Sequence, residues 1–130
     1  MAVVPTILPA LEAGRDVICD RFVDASYAYQ GAGRGLPRER LAELERLVLG
    51  DLKPDLVLVL DVDPAIGVQR IAGRGGNNRF DAESLAFMQR VRAAYLQRAA
   101  EAPYNHVVVD AARAVDTVTS ELLALIEARL

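Results

Sequence analysis

Cysteine, histidine, lysine and tryptophan are nearly missing from this 130-residue sequence, with one Cys, one His, one Lys and no Trp. Cys19 cannot close an internal disulfide, and its place in the apolar run Val17-Ile18-Cys19 predicts a buried, reduced thiol. With one Cys and one His, zinc sites and cysteine- or serine-based triads are poorly supported, and His106 reads as a strand-edge residue. Apolar stretches stay well short of the roughly 20 residues of a membrane span, and the N-terminus has no basic segment ahead of a secretory core. A cytoplasmic chain without a membrane partner is expected. Fifteen Lys plus Arg against eighteen Asp plus Glu give a formal charge of −3, so no overall basic field exists to hold a nucleic-acid backbone. Any polyanion has to be gripped locally, and the arginines are suited to it because a guanidinium fork binds phosphate through paired hydrogen bonds.

Hydrophobic residues make up 52% and charged residues 25%, the balance of a single globular domain over residues 1–130. Three short β-branched runs, Val17-Ile18-Cys19, Leu56 to Leu60 and His106 to Asp110, suit strands covered on both faces. Helical patterns lie between them at Pro37 to Leu49, Pro64 to Ala72, Ala82 to Ala102 and Val115 to Arg129, and Met1 to Leu11 reads like the tail of an amphipathic helix. Strands alternating with helices predict an α/β fold with a parallel sheet. Asp63-Pro64 is an N-cap carboxylate followed by a proline whose missing donor costs nothing. Gly50 and Gly73 stand where the preceding helices end, positions that favour left-handed glycine. Leu85, Met88, Val91, Arg92, Tyr95 and Leu96 form a core-facing stripe on the longest helix, with Arg90, Gln97 and Arg98 expected to face water.

Two segments combine glycine with arginine, Tyr29 to Gly35 and Ala72 to Phe80, and both read as flexible cationic loops, the places where function concentrates. Asp20 and Arg21 directly follow the first predicted strand, so they are expected at the carboxyl end of the sheet, where ligands of open α/β folds bind. An acid there can hold magnesium through water and an arginine can clamp paired anionic oxygens; the alternative is a structural salt bridge. Ser26 and Tyr29 lie three apart on a predicted short helix, with Gln30 beside them. A small polar residue and an aromatic one suit a base and a sugar, although half-buried packing would look the same. Arg70, Arg74 and Arg79 can close over a polyphosphate, or pair with Asp81 and Glu83.

Asp20 through Leu36, reading DRFVDASYAYQGAGRGL, closely resembles the signature of bacterial thymidylate kinases. The likeness continues through Lys53-Pro54-Asp55-Leu56, Leu60 to Pro64, a lid at about 70–82, and the helix carrying Arg90 to Tyr95, so it covers essentially the whole chain. It implies a P-loop kinase fold that transfers the γ-phosphoryl of ATP to thymidine 5′-monophosphate (dTMP) with magnesium, giving dTDP for dTTP synthesis, in a homodimeric enzyme. By position, Arg21 would grip the acceptor phosphate and Asp20 would organise magnesium or water. Ser26 would touch the thymine, while Tyr29 and Gln30 would wall the sugar and disfavour a 2′-hydroxyl. Arg74 would act on the transferring phosphoryl group, with Arg70 and Arg79 on the ATP side. Departures from the family pattern fall at Ala72, Asn77, Asn78 and Asp81.

One part of that pattern is absent: no Gly-x-x-x-x-Gly-Lys followed by Ser or Thr occurs, and Lys53 follows no glycine loop. The resemblance therefore implies the C-terminal part of such a kinase, with an N-terminal βαβ unit of roughly 30 residues or more preceding Met1. A chain without that unit is expected to be inactive and prone to aggregate. The alternatives are a non-catalytic remnant, binding the monophosphate weakly or pairing with another chain, and a related kinase with another base preference.

Overall fold

The computed structural model describes residues 3–73 and 82–130. A π-helical turn, Val3–Ile7, leads into α1 (Leu8–Glu12). Helix α2 (Val23–Ser26) runs on without a break as a π-helical stretch, Tyr27–Gly33, and α3 spans Arg38–Leu49. Strand β1 (Val57–Asp61), α4 (Pro64–Gly73), α5 (Ala82–Glu101), β2 (His106–Asp110) and α6 (Val115–Glu127) complete the order. The strands pair in parallel with Val57 opposite His106 and Asp61 opposite Asp110, so the α/β expectation holds.

Two of the three predicted strands form. Val17-Ile18-Cys19 is irregular instead: Val17 is 37% and Ile18 89% exposed. A β-run needs a ladder partner to satisfy its amides, and among the described residues the sheet offers only β1 and β2. Cys19 is exposed as well, against the expected burial, and its thiol donates to the Arg21 carbonyl at 3.4 Å.

The helix ends follow local chemistry. Asp63 Oδ1 accepts the Ala65 amide at 2.9 Å, the N-cap bond its position predicts. Gly50 ends α3 with φ 57° and ψ −121°, and Leu52 N–H bonds the Leu49 carbonyl at 3.1 Å. Those angles make it the first central residue of a type II′ turn rather than the left-handed cap expected, and both conformations need glycine. Gly73 is the last residue of α4 and has no positive φ.

The core lies in two parts. Val23, Tyr27, Leu41 and Leu49 pack α2 and its π-helical continuation against α3, with Ile7, Leu8, Phe22 and Leu52 around them. Val59, Val91, Ala99 and Val109 join the sheet to α5, whose predicted stripe does turn inward, with Val91 2% exposed. Arg98 departs from the expectation that it faces water. It is half-buried, binds Asp24 and lies 3.9 Å over the Tyr27 ring, because burying a guanidinium is tolerable only when a carboxylate and an aromatic face meet it.

Candidate functional site

A cleft of about 270 Å³ opens between the residues just before α2 and the helical stretch that follows it, lined by Arg21, Ala25, Ser26, Tyr29, Gln30 and Arg34. Four of these, Arg21, Ser26, Tyr29 and Gln30, are sequence-predicted site residues, and the structure brings them together. Continuity of α2 with the π-helical stretch does this: a π-helix is rarely used except where side chains must be re-aimed, and here it sets Ser26, Tyr29 and Gln30 on one wall. Tyr29 to Gly33, expected to be loop, is therefore helical.

Tyr29 is fixed from three sides. Its ring meets Phe87 at 6.2 Å and Tyr95 at 6.4 Å, the latter edge-on, and the Arg21 guanidinium sits 5.5 Å from its centroid. Gly33 lets Phe87 come so near, since a Cβ there would lie 2.6 Å from the ring. Burial pushes the Tyr95 phenol above its ordinary value, reinforced by neighbouring Tyr29 and opposed by Arg21. Arg21 has φ 60°, a backbone strain that is seldom kept by a bulky residue without a use for it.

Asp20 is exposed beside Arg21. Among the described residues no cluster of three metal-ligating side chains exists, but magnesium is commonly held by one or two carboxylates plus substrate phosphates. A lone exposed carboxylate fits that mode. Arg70 lies elsewhere, its fork bonding the Ala111 and Ala112 carbonyls at 2.8 and 2.9 Å in the loop after β2. Arg74, Arg79 and most of the predicted lid fall outside the described residues.

Sequence reasoning missed Arg34 as a cleft residue, although its place between Gly33 and Gly35 was a signal. It also missed a polar cluster behind the cleft. Asp24 Oδ1 accepts from Arg98 Nε at 2.7 Å and Asp24 Oδ2 lies 2.7 Å from His106 Nε2, tying α2 to α5 and to the start of β2. Tyr27 donates to Glu45 at 2.7 Å, and burial followed by that bond raises its phenol above the ordinary value. Near the middle of α5, Arg92 forks onto Asp61 at 2.8 and 3.0 Å.

The parallel β1–β2 pair flanked by helices is that of a P-loop kinase fold, and an arginine, a serine and a tyrosine clamped by aromatic rings line one cleft on it. More narrowly, the chain belongs to the thymidylate kinase family, whose model matches residues 1–122. It is 52% identical over 120 residues to a thymidylate kinase of Pseudomonas putida strain F1, covering 92% of this chain and 57% of that protein. To the thymidylate kinase of Ectopseudomonas mendocina it is 48% identical over 124 residues, covering 95% and 59%. The chain thus spans less than two thirds of the length of the curated relatives it matches. No described helix is long and apolar enough to cross a membrane.

Proposed function

We propose that the protein this chain represents is a thymidylate kinase, moving the γ-phosphoryl group of ATP to dTMP with magnesium, in the cytoplasm and as a homodimer. The observation that carries this reading is the cleft itself, where Arg21, Ser26, Tyr29 and Gln30 converge. Arg21 pairs with the acceptor phosphate through its fork. Tyr29, flanked by the rings of Phe87 and Tyr95, presents a wall to the sugar and excludes a 2′-hydroxyl by shape, with Gln30 beside it. Ser26 supplies a polar contact to the thymine. Asp20 would hold magnesium through water, and the metal would neutralise charge on the transferring group. Arg70, fixed to the loop after β2, and Arg79 would belong to the ATP side, and Arg74 would meet the transferring phosphoryl group.

Titration calorimetry of the chain with dTMP tests the reading. Saturable binding that uridine 5′-monophosphate fails to match, weakened about tenfold or more by Arg21→Ala, is expected from the loss of a charge-assisted contact of about 1.5–3 kcal/mol. Absence of binding, or equal affinity for the ribonucleotide, overturns it. In a protein that also carries the phosphate-binding loop, Arg74→Ala is expected to lower kcat by roughly 10³-fold or more while leaving dTMP affinity nearly unchanged.

A further inference from the structure

His106 is the single histidine of the chain, and its side chain is only 6% exposed. Its Nε2 lies 2.7 Å from Asp24 Oδ2. Its Nδ1 lies 2.6 Å from Asn105 Oδ1 and 3.1 Å from the Ala102 carbonyl oxygen. The orientation of the Asn105 amide is itself determined, because Nδ2 donates to the Pro54 carbonyl at 3.0 Å and turning the amide over would set two oxygens against each other there. Among the described residues, every atom meeting the ring nitrogens is therefore an acceptor.

A neutral imidazole carries one N–H and one bare lone pair, so either tautomer would press that lone pair against an oxygen. Only the imidazolium donates on both sides. Among the described residues, the titratable and charged groups facing it are Asp24 from α2 and, across that carboxylate, Arg98 from α5; Asn105 and Ala102 are neutral. Asp24 gives one oxygen to each cation, the arrangement that a carboxylate only 12% exposed requires.

We propose that His106 acts as an imidazolium and is a positioning residue for the cleft: through Asp24 it holds α2, and with it Ser26 and Tyr29, against α5 and β2. What the wall is for rests on the function proposed above. Loss of the ring proton replaces one donated bond with a repulsive contact, while Arg98 still holds the other oxygen of Asp24. The wall then loosens rather than unfolds, and the cleft grips its ligand less well as pH rises.

Nitrogen–proton correlation spectra of the isotope-labelled chain test this without ligand. Both ring nitrogens are expected to be protonated from mildly acidic to neutral pH, and the amides of Asp24, Ala25 and Ser26 to shift with the same midpoint as the ring on raising the pH. In His106→Gln those amides stay still over that range. A ring with one bare nitrogen at neutral pH overturns the proposal, and so do α2 amides that ignore the ring. With dTMP added, affinity is expected to fall several-fold across the ring's titration beyond any fall in His106→Gln, which controls for ionisation of the phosphate. Equal pH dependence in both overturns the coupling to the cleft. Failure of dTMP to bind at any pH instead overturns the proposed function, and the ligand-free spectra then still decide the role of His106.

Discussion

Arg21 combines a guanidinium over the Tyr29 ring with a positive φ that only glycine adopts at low cost. Such a conformation costs a bulky residue about 1–3 kcal/mol, which the fold tolerates because the same backbone aims the side chain across the cleft. Arg21→Gly is therefore expected to leave the urea-unfolding midpoint unchanged or raise it, while weakening the proposed dTMP binding about as much as Arg21→Ala does. A falling midpoint would show that the arginine is there for stability. Ser26, Tyr29 and Gln30 were legible as a group because their spacing on a short helix places them side by side. The burial of Arg98 was not legible, since its two partners, Asp24 and Tyr27, lie more than seventy residues away in sequence.

At the scale of elements, α5 organises the molecule. Phe87 and Tyr95 clamp the cleft tyrosine, Arg92 binds the end of β1, Arg98 binds α2, and Glu101 is held by Arg38 of α3. The Arg38 guanidinium lowers the Glu101 carboxyl below its usual value, so this small contribution is present at neutral pH and lost as pH falls through the carboxylate range. Helix α4 depends instead on its start. Asp63→Ala deletes the cap to the Ala65 amide and leaves Arg92, 3.7 Å from Asp63, with Asp61 as its carboxylate partner. A loss of about 1 kcal/mol in chemical denaturation is expected. Caps of this kind are read from a dipeptide, as Asp63-Pro64 was. The failure of Val17 to Cys19 to become a strand shows the opposite limit: β propensity records a preference for a pleated ladder, and the ladder needs a second strand that the run itself does not contain.

Over the whole molecule, 9042 Å² of surface is accessible, against roughly 6,700 Å² for a compact monomer of this mass. Ile18, Leu47, Val115 and Leu130 are at least 79% exposed, so apolar faces remain open to other protein surface. Tyr27, which is buried, and Tyr95, which is half-buried, link this modest core to pH. Both Tyr27 and Tyr95 ionise above the ordinary value of 10.0, chiefly through burial, so the folded state prefers the neutral phenol. These two phenols leave stability unchanged below pH 10.0 and lower it as pH rises from there toward their folded-state values. Tyr27→Phe is expected to cost about 0.5–1.5 kcal/mol at neutral pH, the worth of its bond to Glu45, and to make the alkaline decline shallower. Urea unfolding followed across that range, with phenolate absorbance marking ionisation, checks both.

What the sequence determined by itself is whatever depends on near neighbours: the β1 and β2 runs, the long helices, the Asp63 cap, and the grouping of cleft residues on one helical turn. Tertiary structure alone decided which distant residues meet, namely the clamp of Phe87 and Tyr95 on Tyr29 and the approach of Asp24 to Arg98 and His106. Hydrogen-bond partners and buried charges are matched by position in space, and a linear order of residues carries that information only once the elements have packed.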